Sequence, residues 1–372
     1  MSSLKNILIN SINATVVTSH SDSDPVWDAF VASHPGGQYP QTSSWAHVKD
    51  LEGWLVTRVY VRDNEKILGG FQILFKTSSR FGKIGYLPKG PLFAFPSAGD
   101  VAAIKRLLDD CVRCNRIKLL IIQPPDTDGF ETVLKRMASR KNYVYRAINA
   151  TVLVDVTKSI EDLLNDLRKQ RRQDIRKSQA SGLVLKEGGE GDLVVFYDLM
   201  KATAQRQNKS VSPARIDVLK ELWKTFYPNG MIRLFLAKMG PEVVTSLLVI
   251  IFNKRVIYYK MGWNGEHEEC RPNHFLLWEV ILWAQRNGFE KVDIYDIDTE
   301  AARCIKEGRP IPERIKKTPT LFKLGFGGEV TLLHDAVVYI PNFALRFFYT
   351  QVFRVLEKFP AVRRRILSKF RE

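Results

Sequence analysis

Hydrophobic and polar positions in the first half of the chain follow two periods, one typical of strands and one typical of helices. Segments with the alternation of a half-buried strand lie at 54–62, 66–76 and 83–88. A helical pattern at 102–113 follows them, and a short apolar run at 118–123 then predicts a buried strand. We therefore expect three strands, a helix and a further strand, in that order.

The second half repeats this order without repeating the sequence. Strands are predicted at 231–239, 243–252 and 255–263, an amphipathic helix at 275–287 and a strand at 291–297. The repeat predicts an α/β (α+β) fold of two similar modules, each a mixed sheet flanked by helices. We expect the first module at 1–155 and the second at 156–317.

The C-terminal segment, residues 346–372, is predicted to belong to a basic amphipathic helix that begins near Phe343 and breaks at Pro360. Between Arg346 and Glu372 the chain contains eight Lys and Arg residues against two Glu residues. A basic helix with phenylalanine on its other face can lie on an anionic bilayer surface. The alternative is that its apolar face packs on the first module, and both arrangements can hold at once.

The net charge restricts the class of partner. The 372 residues contain 56 Lys and Arg against 40 Asp and Glu, a formal net charge of +16. A positive field of this size favours a polyanionic partner, whether nucleic acid, a phosphorylated substrate or an anionic membrane. Solubility is the plainer explanation of the excess, but the basic residues cluster along the chain, which favours a binding role.

Motifs of several common enzyme classes are absent. The chain contains no GxxxxGK, GxSxG or HExxH sequence, which argues against nucleotide hydrolysis and zinc proteolysis. Residues 262–284 lack the glycine spacing with which acetyl-CoA-dependent transferases commonly hold a pyrophosphate. Cys111 and Cys114 form a CxxC, but we prefer a helix passing into a strand to a redox pair or half a zinc site. We expect no metal and no cofactor.

The chain shows no sign of a secretory or membrane-spanning segment. Its start has one Lys and no uninterrupted apolar run before a small-residue cleavage site. The longest apolar stretch, 243–252, is interrupted by Thr245 and Ser246 and is far shorter than the roughly 20 residues of a spanning helix. We therefore expect a cytoplasmic protein, with peripheral contact to the inner membrane face through its C-terminal helix.

An ordered series of short motifs extends over most of the chain, from about residue 38 to 345. Its members are Gln41–Lys49, Gly53–Trp54, Ile67–Gly70, Tyr86–Pro91, Arg171–Lys177, Thr203–Arg206, Tyr258–Tyr259 with Gly262, Leu277–Glu279, Trp283–Ala284, Gly288, Tyr295–Ile297 and Leu321–Gly328. The series resembles the FemABX family of peptidoglycan aminoacyltransferases. No single motif is diagnostic, but the K-G-P of Lys89–Pro91 followed far downstream by the F-K-x-G-F-G-G of Phe322–Gly328 is specific.

The resemblance implies two GNAT-like domains, with residues 318–345 returning to complete the first. It also implies transfer of an amino acid from aminoacyl-tRNA to a stem-peptide amine of a UDP- or lipid-linked muropeptide. We expect the protein to be a monomer. Both substrates are polyanions, in agreement with the net charge. Two alternatives stay open: an acyl-CoA-dependent N-acyltransferase of an envelope polysaccharide or lipid, and a non-catalytic scaffold of envelope biosynthesis.

Lys323 is the residue that the resemblance implies at the reacting centre, with Phe322 beside it. Aminolysis of an ester builds negative charge on the carbonyl oxygen, which a fixed ammonium stabilises. The glycines around Lys323 are expected to leave it outside any helix. The alternative is a surface lysine that follows a strand. Asp296 and Asp298, at a predicted strand end, either form a turn, which we prefer, or accept the amine proton.

The resemblance also implies a set of substrate-binding residues. Lys49 and Arg206 resemble residues that hold a diphosphate and the acceptor, with an exposed helix face as the alternative for both. Lys89 of the K-G-P motif completes the cationic members of this set. Tyr258 and Tyr259 alternate on a strand, so that one faces the core, and we expect Tyr259 to face the substrate.

Two basic clusters are candidates for contact with the tRNA. A long polar helix predicted at 159–180 has basic residues on more than one face, which a stripe opposite a core does not explain. These residues are Arg168, Lys169, Arg171, Arg172, Arg176 and Lys177. A second cluster, residues 303–317, has six Lys and Arg residues among glycine and prolines, and we expect a flexible loop near Lys323.

The chain departs from the family in two places. Residues 90–94 read G-P-L-F-A and lack the aspartate that the family often shows after G-P, which removes one expected acceptor contact. No heptad insertion near 205–225 matches the coiled-coil arm of some members. The tRNA is therefore expected to meet the globular surface.

Overall fold

The structure, a computed structural model, describes residues 14–78, 82–93, 98–127, 140–141 and 147–357. The chain divides into two units, the first made of residues 1–147 and 334–372 and the second of residues 148–333. The return to the first unit, expected at about residue 318, occurs at His334. The reason is that a strand at Glu329–Leu332 pairs with Ala150–Asp155, which keeps this part of the chain in the second unit.

The first unit begins with antiparallel strands and two helices whose N-termini are capped by side chains. Its elements up to residue 141 are β1 (Ala14–Ser19), α1 (Pro25–Ser33), α2 (Ser43–Asp50), β2 (Leu55–Asp63), β3 (Lys66–Ser78), β4 (Gly82–Leu87), β5 (Leu92–Phe93), α3 (Ala98–Cys114), β6 (Ile117–Ile122) and β7 (Arg140–Lys141). Asp24 caps α1 by accepting a hydrogen bond from the Trp27 amide at 3.2 Å. Thr42 caps α2 in the same way for the Trp45 amide.

The second unit is a continuous stretch of chain. Its elements are β8 (Ala150–Asp155), α4 (Ile160–Asp166), α5 (Lys169–Gln179), β9 (Leu183–Gly188), α6 (Leu193–Arg206), α7 (Ile216–Phe226), β10 (Ile232–Met239), β11 (Glu242–Phe252), β12 (Arg255–Trp263), α8 (Pro272–Arg286), β13 (Lys291–Asp293), α9 (Thr299–Lys306), α10 (Glu313–Lys316), α11 (Pro319–Leu324) and β14 (Glu329–Leu332). Its core lies between the sheet and the helices, with Leu276, Ile281 and Val292 fully buried.

In the described residues, each unit contains a mixed sheet in which one pair of neighbouring strands is parallel. The chain returns to the first unit as β15 (Val337–Tyr339) and α12 (Phe343–Glu357). The sheet orders are β1-β2-β3-β4-β6-β15-β7, with β5 beside β3, and β14-β8-β13-β12-β11-β10-β9. The parallel pairs are β4 with β6 and β12 with β13, joined by the crossover helices α3 and α8. The α/β fold with two similar mixed-sheet modules is confirmed.

The single long helix predicted at 159–180 is wrong, because the chain forms α4 and α5 with two extended residues, Leu167 and Arg168, between them. Leu167 has φ −67° and ψ 144° and is buried in the core of the second unit. The amide of Arg168 donates to the carbonyl oxygen of Gly325 at 3.2 Å. A continuous helix would instead direct that amide at a carbonyl of its own preceding turn.

Cys111 and Cys114 both lie in α3, so the helical interpretation of the CxxC is confirmed. Cys111 packs in the core of the first unit, and Cys114 is exposed. Burial raises the pKa of the Cys111 thiol to about 12. A thiol in this state is a poor nucleophile, because the thiolate is the reactive form.

The predicted C-terminal helix is present as α12, and its predicted continuation to Phe370 lies outside the described residues beyond Glu357. Tyr349 and Phe353 pack against β6 and β15 of the first unit. In the part of the chain that the structure describes, no helix combines the length and apolar character that crossing a bilayer requires.

Gly262 of β12 allows the strand to approach α6. A Cβ at position 262 would lie 2.7 Å from the amide nitrogen of Met200 and 2.8 Å from the carbonyl carbon of Leu199. We expect Gly262→Ala to lower the free energy of unfolding by about 1–3 kcal/mol, because backbone must move to admit the methyl group. Urea unfolding monitored by circular dichroism measures this change.

Gly191→Ala is the matched control, because no atom lies within 4 Å of a Cβ built at Gly191. Its unfolding midpoint should stay the same or rise slightly. Equal effects of the two substitutions would contradict the close approach of β12 and α6.

Candidate functional site

Lys323 is a buried lysine whose ammonium is held by backbone carbonyl groups. The residue is 8% exposed, and its Nζ donates to the carbonyl oxygens of Tyr295 and, at 3.0 Å, of Asp296. The expected position outside any helix is wrong. Lys323 lies in the last turn of α11, which Thr318 caps at its N-terminus and which ends before Gly325. The short helix fixes the direction of the lysine side chain.

The turn after β13 brings its carbonyl groups to Lys323. Asp296 has φ +60°, the left-handed conformation that aspartate adopts more readily than most residues. The side chain of Asp298 then caps α9 by accepting hydrogen bonds from the amides of Glu300 at 2.9 Å and Ala301 at 3.2 Å. The turn-forming interpretation of Asp298 is therefore confirmed.

Tyr258 is the tyrosine that lies beside Lys323. The Nζ of Lys323 is 4.9 Å from the centroid of the Tyr258 ring, a cation–π distance. Pairing in β11 and β12 matches Leu248 with Lys260 and Val249 with Tyr258. Tyr259 is thus the extra residue of a β-bulge. Burial raises the pKa of Tyr258, which therefore presents a neutral ring.

The bulge also changes which residues of β12 face the core. Val256, Tyr258 and Met261 all pack on the core of the second unit. Strict alternation would place residue 260 rather than 261 on that face. Of the two tyrosines it is Tyr258 that packs on the core, as one of the pair was expected to do, and the departure from alternation comes after it. The choice of Tyr259 as the substrate-facing tyrosine stays a prediction.

The guanidinium group of Arg171 packs against the rings of both Phe322 and Phe326, which also contact each other edge to face. Its central carbon lies 5.1 Å from the centroid of each ring, and its NH2 group donates to the Phe322 carbonyl oxygen at 3.3 Å. Gly325 makes this packing possible, because a Cβ there would lie 2.5 Å from the Nε of Arg171. Burial lowers the pKa of Arg171 to about 10. Arg171 thus supports the segment that contains Lys323.

Asp174 is the shared carboxylate of this region, and no role for it was predicted from the sequence. It is 8% exposed and lies 3.4 Å from Arg171 NH1, 3.3 Å from Arg271 Nε and 3.6 Å from His274 Nε2. The ring of His274 meets Phe322 edge to face at 5.0 Å. An acidic residue inside a strongly basic helix was the available indication, because a lone carboxylate there balances buried cations.

The basic residues of α5 do not share one environment. Arg172 is partly buried, and its NH1 group donates to the carbonyl oxygens of Leu164, Asn165 and Leu167 at the end of α4. Together with Arg171, it makes internal contacts. The exposed members of the cluster are Arg168, Lys169, Arg176 and Lys177.

The expected flexible loop at 303–317 is partly helical and strongly ion-paired. It contains the end of α9 and the whole of α10. Its ion pairs are Lys306 with Glu329, Arg309 with Glu307, Arg314 with Glu300, and Lys316 with Glu313. Exposed pairs of this kind contribute little to stability, but they reduce the net positive charge of the segment.

Arg206 lies at the end of α6 with its guanidinium group against the loop after β12. Its central carbon is 4.8 Å from the Trp263 ring centroid, and its NH2 group donates to the hydroxyl group of Thr203 at 3.3 Å. Gly265 leaves room for it, since a Cβ there would lie 2.8 Å from Arg206 NH1. Burial lowers the pKa of Arg206 from its ordinary value.

Lys49 and Lys89 lie in the first unit, each beside a carboxylate. The Nζ of Lys49 is 5.0 Å from the Trp45 ring centroid and forms an ion pair with Glu52. Lys89 is 2% exposed, and its Nζ lies 2.6 Å from Asp126 Oδ1. A lysine so deeply buried and paired supports the fold, and its role in substrate binding stays a prediction.

Within the described residues, His267, Glu269 and Cys270 form a group that could hold a metal ion. Their donor atoms lie within 4.8 Å of one another. The side chain of Glu269 is 70% exposed. His267 also approaches Glu242, with 3.4 Å between Nε2 and the carboxylate. The group is a surface cluster at the start of the segment that leads into α8.

Replacing the charge of Asp174 should destabilise the second unit. Asp174→Asn keeps the side-chain shape but leaves Arg171 and Arg271 without their shared carboxylate. We expect a loss of roughly 2–3 kcal/mol in unfolding free energy, below the range for a fully buried pair because Arg271 is partly exposed. Asp198→Asn is the control, since Asp198 pairs with Lys201 at the surface and should cost less than about 1 kcal/mol. Equal urea midpoints would contradict the role of Asp174.

Comparison with known proteins agrees with the geometry of both units. Residues 23–142 match the FemAB family, and residues 165–301 match the acetyltransferase (GNAT) domain family. Lipid II:glycine glycyltransferase of Staphylococcus aureus is 23% identical over an alignment of 227 positions that covers 58% of this chain and 53% of the relative. The chain thus spans about half the length of the curated relatives it matches.

Solved structures show the same fold. The crystal structure of FemX superposes with a TM-score of 0.71 at 18% identity, covering 87% of this chain and 97% of that one. A tandem GNAT protein from the clavulanic acid biosynthesis pathway gives 0.54 at 11% identity, covering 89% and 99%. The ordered motifs, the two mixed-sheet units and these matches together support a FemABX-like, GNAT-related family for the chain.

Proposed function

We propose that this protein is an aminoacyltransferase that moves an amino acid from aminoacyl-tRNA to an amine of the stem peptide of a lipid-linked peptidoglycan precursor. The FemAB match and the relative named lipid II:glycine glycyltransferase support the reaction class and a lipid-linked acceptor. The net charge of +16 suits two polyanionic substrates.

The observation that carries the proposal is the fixed ammonium of Lys323 at the end of β13. Two carbonyl oxygens and the face of Tyr258 hold it, so the cation needs little reorganisation to act. Preorganised charge of this kind is the main means by which enzymes stabilise a developing oxyanion. Arg171 and Asp174 hold Phe322 beside it.

The reaction is an aminolysis of an ester. The acceptor amine attacks the ester carbonyl carbon, the new carbon–nitrogen bond forms, and the carbonyl oxygen gains the negative charge that Lys323 stabilises. The bond to the ribose oxygen of the tRNA then breaks. The amine loses one proton and the ribose oxygen gains one, so the step needs no metal, oxidant or further co-reactant.

The exposed basic residues of α5, together with Arg168, which precedes it, are the proposed contact for the tRNA. Arg168, Lys169, Arg176 and Lys177 are exposed, whereas Arg171 and Arg172 make internal contacts. Flexible, exposed cations are suited to contacts with the tRNA phosphates, which orient the tRNA on the protein without recognising its base sequence. We place the reaction at the inner face of the membrane, where a lipid-linked precursor meets charged tRNA.

A second candidate is an acyl-CoA-dependent N-acyltransferase of an envelope polysaccharide or lipid. The match of residues 165–301 to the acetyltransferase (GNAT) domain favours it. The missing glycine spacing at 262–284 argues against it, because few backbone amides are then free for a pyrophosphate. Saturable binding of acetyl-CoA in calorimetry distinguishes this candidate from the first.

Lys323→Met should lower the rate of transfer from charged tRNA to a lipid-linked pentapeptide by about 10²–10³-fold, because the oxyanion loses its cation. Loss of the ester-linked radioactive amino acid, dependent on the acceptor, measures the rate. Circular dichroism checks that the variant is folded.

Lys201→Met is the control for the loss of a positive charge, since Lys201 forms a surface pair with Asp198. It should transfer at the rate of the unmodified protein. Transfer by Lys323→Met at that same rate would remove Lys323 from the chemistry. Absence of acceptor-dependent transfer from every charged tRNA tested would refute the proposed function itself.

A further inference from the structure

Helix α12 has an apolar inner face that the first unit covers. Tyr349 is 7% exposed and Phe353 is 6% exposed, and both belong to the cluster formed by β6 and β15. Leu345 and Val352 pack against the same cluster. These four positions follow the spacing of one helical face. The contact with the first unit thus buries the apolar face that an amphipathic helix needs to remove from water.

The outer face of α12 is also rich in large apolar side chains. Phe343 is 72% exposed, Phe347 is 58% exposed and Phe348 is 65% exposed. Phe343 and Phe347 are four residues apart and are therefore neighbours on the helix surface, and Phe348 lies about 100° further round the helix. Neighbouring exposed phenylalanines of this kind mark an interaction surface, whereas single exposed apolar residues need no explanation.

The charges around these rings are positive. The guanidinium carbon of Arg346 lies 5.7 Å from the Phe343 ring centroid, and Arg354 is exposed one turn or more beyond the rings. From Arg346 to Glu372 the sequence has eight Lys and Arg residues against two Glu residues, a difference of six positive charges. Aromatic rings beside arginines, in a segment this basic, complement a surface in which an apolar layer lies beneath anionic groups.

We propose that the outer face of α12 docks the first unit on an anionic lipid bilayer. Phe343, Phe347 and Phe348 enter the boundary between headgroups and acyl chains, and Arg346 and Arg354 contact lipid phosphates. A second copy of the chain fits this surface poorly, because a symmetric contact through α12 would bring both sets of positive charges together. The proposal does not depend on the transfer reaction.

Sedimentation of the full-length protein with sucrose-loaded vesicles tests the docking. The protein should bind vesicles containing about 30% phosphatidylglycerol in phosphatidylcholine, and binding should weaken in about 0.5 M NaCl. The double variant Phe347→Ser/Phe348→Ser should lose about 10-fold or more in affinity for the same vesicles. The exposed positions of both residues make unfolding of the variant a minor concern, and circular dichroism checks it.

Val184→Ser/Val194→Ser is the matched control, because these two valines are 61% and 49% exposed in the second unit. It should bind vesicles like the unmodified protein. Equal binding by the phenylalanine double variant, or no binding of the unmodified protein to anionic vesicles, overturns the proposal. A dimer in light scattering that the phenylalanine variant abolishes, without vesicle binding, would assign the surface to a second copy instead. Neither tRNA nor acceptor is present, so the outcome is independent of the transferase assay.

Discussion

The interaction on which the second unit's candidate site depends is the contact of the Lys323 ammonium with the carbonyl oxygens of Tyr295 and Asp296. A buried charge is tolerated only where polar groups replace the water it has lost. Three separate parts of the chain supply this environment: the short helix α11, the turn after β13, and Tyr258 on β12. The position of the ammonium group therefore depends on how the helix, the turn and the tyrosine pack together.

The repeated order of elements could be predicted from the sequence because the periods of strands and helices are local properties. The break between α4 and α5 could not, since it depends on burial of Leu167 and on the distant carbonyl of Gly325. The β-bulge at Tyr259 was missed for a similar reason. Two adjacent tyrosines fit an ordinary strand, and only the pairing with β11 shows the extra residue.

Part of the candidate site could be predicted from the resemblance to the FemABX family, but not from the local pattern of hydrophobic and polar positions. That resemblance singled out Phe322 and Lys323, which the structure places together with Tyr258 and Arg171. Asp174, Arg271 and His274 were missed, because their proximity to Phe322 arises from the packing of α5 and α8. The cations of α5 are equivalent in sequence, but burial separates those that support the fold from those that face solvent.

The insertion of the second unit within the first has a consequence for the order of folding during synthesis. β15 lies between β6 and β7, yet residues 148–333 separate it in sequence from both. The second unit is contiguous and can complete its sheet as soon as residue 333 leaves the ribosome. The first unit begins earlier but must wait with one edge of β6 uncovered. The sheet of the first unit therefore lacks β15 for the time taken to translate residues 148–333, and an unpaired strand edge is prone to aggregation.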